Sequence, residues 1–140
     1  MKIRKATKKD LKVLLKLRKL LHQYEKTIDK KDIYNLGEVE RDLNKENIIF
    51  FIAYIGCKPV GYCKLKIKEI NDKIMGHVGA DFVLEEFRGK GIGRKMMEEM
   101  IKELRKRKIN GISLELYRNN KLSYIAHKKM GFKKAKHDKN

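Results

Sequence analysis

Residues 81–108 read DFVLEEFRGKGIGRKMMEEMIKELRKRK, and the fold turns on how that stretch is interpreted. An apolar run ends at Leu84, three glycines alternate with Lys90 and Ile92, and a methionine-rich pattern follows. Met96, Met97, Met100, Ile101 and Leu104 recur at the spacing of one helical face. A strand, a glycine turn and a helix start together form an arrangement that binds phosphate through main-chain amides. Glycine lets the backbone approach an anion closely and take positive φ at little steric cost. The first amides of a helix have no intrahelical acceptor and point outward beside the positive end of the dipole. The dipole contributes about 0.3–1 kcal/mol at an exposed site, so direct hydrogen bonds must carry most of the binding. Arg88, Lys90 and Arg94 add positive charge around them.

Two other glycine motifs fit less well. A P-loop needs a Gly-Lys pair followed by Ser or Thr, which is missing here. A dinucleotide fingerprint needs G-x-G-x-x-G, and Gly89-Lys90-Gly91-Ile92-Gly93 is one residue too tight. Glu115 stands about where that motif places its ribose-binding acid, while the antiparallel strands read upstream argue against it.

Upstream, MKIRKAT reads as a short strand, and Thr7 followed by Asp10 is a helix-start signal of the capping-box kind. Leu11, Leu14, Leu17 and Leu21 then hold helical spacing through His22. YEKTIDKKDIYNLGE reads as a loop or short irregular helix, and EVERDLNKE as a second short helix. NIIFFIAYI is continuously apolar and suits a buried strand. VGYCKLKIK answers it as a hairpin partner across the turn at Gly56, Lys58 and Pro59. After Asn71-Asp72, MGHVGADFVL reads as a strand with Val78, Ala80, Phe82 and Leu84 on one face and His77, Asp81 and Val83 on the other. ISLEL is a further strand, NKLSYIAHKKM a helix stopped by Gly131, and FKKAK a last strand. The expected fold is α/β, an α+β mixed sheet with helices packed on it, in the order β-α-α-β-β-β-α-β-α-β. It forms a single domain over residues 1–140 with a basic tail from about residue 133.

Of the 140 residues 41% are hydrophobic, ordinary for a packed globular chain. No apolar run approaches the roughly 20 residues of a membrane span, and MKIRKATKKD lacks a signal-peptide core. A cytoplasmic location is expected, with no membrane partner. A formal net charge of +18 favours a polyanionic partner such as nucleic acid or a phosphorylated cofactor. The lysines are spread along the whole chain, which favours solvated faces for most of them, with a local patch in KKMGFKKAKHDKN. Cys57 and Cys63 lack metal-ligand spacing, so no metal site is expected. Cys63 alternates with Leu65 and Ile67 and reads as a small core residue.

The run VLEEFRGKGIGRKMMEEM closely resembles the coenzyme A motif of the GNAT superfamily of N-acetyltransferases, whose core is Arg/Gln-x-x-Gly-x-Gly/Ala. Asn120 through SYIAHKKMGF is similar to that family's Asn-x-x-Ala-x-x-x-Tyr-x-x-x-Gly-Phe segment. The resemblance implies a GNAT-like acyl-CoA N-acyltransferase fold and acetyl-CoA as cosubstrate, with an amine as acceptor. It implies that the amides of Arg88, Gly89, Lys90, Gly91, Ile92, Gly93 and Arg94 hold the pyrophosphate. Phe82 and Val83 would lie along the cofactor, Val83 pairing its backbone with the pantetheine arm, and Asn120 would contact the cofactor or acyl region. Family members splay the strand carrying Val83 from the next one, which leaves a cleft for the thioester.

Transfer to an amine requires a neutral nucleophile, a polarised carbonyl and a route for the proton. His77 is the first candidate base, since an unperturbed histidine with a pKa near ~6.5 is largely neutral at pH 7. Asp81 is a second base or an anchor for a cationic amine. The resemblance implies a tyrosine acid four residues before Gly-Phe, but His127 stands there, so His127 is the candidate acid with Tyr124 one helical turn earlier as the second. Tyr24, Glu25 and Asp29 are candidates for the acceptor pocket. Other readings are an acetyltransferase acting on aminoacyl-tRNA or ribosomal protein, and a non-catalytic basic domain that binds nucleic acid; the assembly expected is a monomer or homodimer.

Overall fold

The computed structural model describes residues 1–28 and 36–114, with the backbone alone for residues 24–28 and 36. The last helix and strand read from the sequence, Asn120, Tyr124, His127, Asp29 and the basic tail lie outside the described residues, as do the side chains of Tyr24 and Glu25.

Five strands form one sheet in the order β1 (Lys2–Lys5), β2 (Ile48–Ile55), β3 (Lys58–Ile70), β4 (Lys73–Val83) and β5 (Ile112–Leu114). The first four are antiparallel neighbours, and β5 joins β4 in parallel. Helices α1 (Leu11–Ile28) and α2 (Leu36–Leu43) pack on one face, and α3 (Ile92–Lys106) on the other. Among the described residues no helix is long and apolar enough to cross a membrane.

The sequence explains most of these elements locally. Thr7 caps the turn leading into α1: its hydroxyl accepts from the Lys9 amide, and Asp10 accepts from the Thr7 amide at 2.8 Å. The Asp10 carboxylate also takes a bidentate bond from Arg4 at 2.7 and 2.9 Å, which ties the helix start to β1. Leu14, Leu17 and Leu21 then bury the apolar stripe of α1. The helix runs on to Ile28, past the break expected after His22, because residues 23–28 contain neither Gly nor Pro to stop it. Asn71 and Asp72 have φ of 51° and 65° between β3 and β4, and the two-residue hairpin turn that fits the sheet's twist needs positive φ at both positions.

β2 is apolar throughout because both of its faces are covered. Ile49, Phe51 and Ala53 enter the core beneath α3, whereas Ile48, Phe50 and Ile52 enter the core beneath α1 and α2. Cys63 and Leu65 of β3 join the α3 side and Tyr62 the other. Met96, Met97 and Met100 anchor α3, and its Glu103 meets Lys5 of β1 at 2.7 Å.

Strand β4 departs from the alternation expected of it. Lys64 pairs with Ala80 but Leu65 pairs with Val78, so Gly79 is an extra residue, a β-bulge. Before the bulge, Gly76 and Val78 face α3; after it, Asp81 and Val83 do, while Ala80 and Phe82 face α1 and α2. Val78 therefore parts from Ala80, Phe82 and Leu84, and His77 parts from Asp81 and Val83. One inserted residue reverses every later side chain.

Candidate functional site

The glycine turn sits where β4 hands over to α3. Leu84 begins a short 3-10 turn, Glu85–Phe87, and Arg88 is extended. Gly89 and Gly91 have φ of 78° and 82°, a region that side chains with a Cβ rarely enter. Gly91 caps α3 in that left-handed conformation with no side-chain hydrogen bond, and the first turn carries no acid. Among the described residues no side chain accepts from the opening amides of α3, which suits them to an outside acceptor. Among the described residues, a methyl group placed on Gly89, Gly91 or Gly93 would meet no atom within 4 Å beyond its chain neighbours.

Cations surround this turn. The ammonium groups of Lys58 and Lys90 lie over the Phe87 ring at 5.1 and 5.4 Å from its centre. Arg88 stacks over Phe82 at 5.8 Å and donates from Nε to the Val83 carbonyl at 2.9 Å. Arg94 is exposed on the first turn of α3. Open amides, permissive glycines and clustered cations suit an anion of diphosphate size.

The second part of the site is the end of β4, on either side of its bulge. Pairing with β5 covers Gly76, His77 and Val78, opposite Ile112, Ser113 and Leu114. Among the described residues, 79–83 pair with β3 alone. Phe82 is buried on the α1–α2 side, and Val83 is half-buried toward α3. His77 lies in the paired part, half-buried, with Nδ1 2.9 Å from the Ser113 hydroxyl. His77 and Asp81, expected on one face, lie on opposite faces of the sheet. Asp81 is opposite Cys63, whose thiol pKa is pushed up by burial first and then by the Asp81 charge.

A buried ion-pair cluster at the bulge was not foreseen from the sequence. Lys64 Nζ meets Asp42 at 3.0 Å and Glu38 at 3.1 Å, both one turn apart on α2. The Lys64 and Asp42 side chains are 10% and 5% exposed. Their spread along the chain favours solvated faces for most lysines, but α2 covers this one. The available signals were Glu38 and Asp42 at i, i+4 spacing and the glycine at position 79.

A family model described as "Acetyltransferase (GNAT) family" matches residues 14–132. Among solved structures, a variant of the BH1408 protein from Bacillus halodurans superposes with a TM-score of 0.87 at 19% identity, covering 100% of this chain and 98% of that one. A predicted acetyltransferase with acetyl-CoA from Clostridium acetobutylicum gives 0.82 at 20% identity over 99% and 94% of the two chains. The aminoglycoside N-acetyltransferase AAC(6')-Iy in complex with CoA gives 0.79 at 20% identity over 95% and 92%. At such identities the likeness concerns the fold.

Proposed function

The chain belongs to the GNAT acetyltransferase family, and from that premise we propose that it moves the acetyl group of acetyl-CoA to a primary amine. The observation that carries the proposal is the uncapped, acid-free start of α3 behind two positive-φ glycines. Acetyl-CoA, when bound, supplies an activated acetyl thioester. The amides from Arg88 to Arg94 hold its diphosphate, and Lys90 and Arg94 neutralise it. Phe82 and Val83 line the path along the end of β4. The Val83 carbonyl, now taken by Arg88, becomes available to the pantetheine arm when that guanidinium turns to phosphate.

In the same proposal His77 accepts the amine's proton directly or through water, with Ser113 orienting the ring. Asp81, on the opposite face, anchors a cationic acceptor or relays a proton in a secondary role. His127 is the proposed acid toward the departing thiolate, with Tyr124 second, and Asn120 touches the acyl region. The acceptor is proposed to be a cationic amine, and the whole chain to act as one catalytic domain.

One observation favours a second reading, in which the acceptor is carried on RNA. Lys12, Lys16 and Lys19 are exposed along α1, and residues 11–23 contain no acid to balance them. A phosphodiester backbone would neutralise such a row.

Titration calorimetry with acetyl-CoA tests the proposal, followed by thiol release across amines, peptides and aminoacyl-tRNA. Binding should be saturable, and a bound cosubstrate should raise the melting midpoint by mass action. Absence of binding at millimolar acetyl-CoA would sink the assignment. Thiol release with aminoacyl-tRNA alone would select the second reading.

A further inference from the structure

Strand β4 carries its bulge at Gly79, and Lys64 lies across the strand at that residue. A methyl group on Gly79 would stand 2.7 Å from Lys64 Cε and 3.7 Å from its Nζ. The lysine stem thus lies flat on the bulge, and position 79 tolerates it because glycine has no side chain. Beyond the bulge the ammonium reaches Asp42 and Glu38 of α2. One side chain therefore connects the helix layer to the bulge of β4.

A bulge is held in register by what packs on it. If it relaxed to regular pairing, Asp81 and Val83 would exchange faces with Ala80 and Phe82. The backbone N–H and C=O groups at the end of β4 would reverse direction with them. The buried Lys64 pair opposes that slip, because moving the bulge would pull an ammonium away from a carboxylate that is 5% exposed.

We infer that Lys64 is a positioning residue: clamped to Asp42 and Glu38, it fixes the Gly79 bulge and so aims the end of β4 at the thioester carbonyl. This rests on the acetyl-CoA reading above. It assigns the buried pair a role in acyl orientation separate from the glycine turn that grips the diphosphate.

The test uses acetyl-CoA labelled with 13C at the carbonyl, with CoA as the control ligand. Lys64→Met combined with Asp42→Asn removes the clamp without stranding the buried carboxylate. In the native protein the bound carbonyl resonance should be displaced from its free position. In the double variant it should return toward the free value, while the CoA dissociation constant stays within about twofold because the turn is a separate site. Lys64→Arg, which keeps the charge, should restore most of the displacement. A double variant that folds and binds with the native carbonyl shift would overturn the inference. Should it fail to fold, Glu38→Gln, at a carboxylate 41% exposed, gives the same readout at smaller amplitude, and an unchanged shift there would overturn it too. If the native protein binds neither ligand, the acetyl-CoA reading itself fails, which is a different result.

Discussion

Arg88 reaches back from the glycine turn to the carbonyl of Val83, at 2.9 Å, so the loop and the last residue of β4 are joined by one exposed guanidinium. The bond links the proposed diphosphate grip to the proposed pantetheine track. Replacing Arg88 with Ala should change the melting midpoint little, since an exposed surface contact is usually worth within about 0.5 kcal/mol. CoA affinity should fall by about tenfold, the scale of one charge-assisted bond. Calorimetry on both proteins checks this, and equal affinities would remove Arg88 from the site.

Gly91 and Gly93 should respond differently to alanine. Gly91 has φ of 82°, so Gly91→Ala should destabilise the free protein by about 1–2 kcal/mol. Gly93 lies inside α3, and an added methyl meets none of the described residues, so Gly93→Ala should stabilise by up to about 1 kcal/mol. Both should weaken CoA binding, since the added methyl projects where a phosphate would lie. A variant at Gly93 that is more stable and binds as tightly as before would contradict the phosphate role.

His77→Ala should lower amine-dependent thiol release by about 100-fold at pH 6.5, the lower range for a general base. The loss should shrink at pH 9, where an amine sheds its proton unaided. Ser113→Ala should give a smaller loss of the same pH form, because Ser113 meets the His77 ring at 2.9 Å. A ratio to the native enzyme that is flat across pH would exclude His77 as base.

Acid stability should depend on Asp10. The Arg4 hydrogen bonds hold its pKa down at about 2, from an ordinary 3.8, against the opposing effect of burial. A depressed carboxyl stabilises the fold above its unfolded value and loses that contribution as pH falls through the folded one. Asp10→Asn should therefore cost about 2 kcal/mol near neutrality, and the gap to the native protein should close between roughly pH 4 and pH 2. Urea titrations at stepped pH measure the gap, and one that persists at pH 2 would contradict the assignment.

Local rules made much of this molecule legible from its sequence. The capping pair Thr7 and Asp10, the turn at Asn71-Asp72 and the Met96–Met100 stripe each depend on neighbours within a few residues, and each is present. The glycine turn was legible for the same reason, since positive φ and an uncapped helix start are local properties. Strand alternation failed at Gly79 because a bulge is set by the partner strand and by Lys64, neither of which a one-strand pattern contains. The burial of Lys64 is not legible locally, because its partners, Glu38 and Asp42, come from a helix more than twenty residues away. His77 and Asp81 inherited that error of phase.

The sharing of β2 and β3 between both layers has a mechanical consequence. Neither α3 nor the α1–α2 pair can detach while the other stays folded, because each would leave the common wall with one face bare to water. Denaturation should accordingly proceed in one step, with the Phe50 and Phe51 amides, whose rings point to opposite layers, losing protection from solvent exchange together.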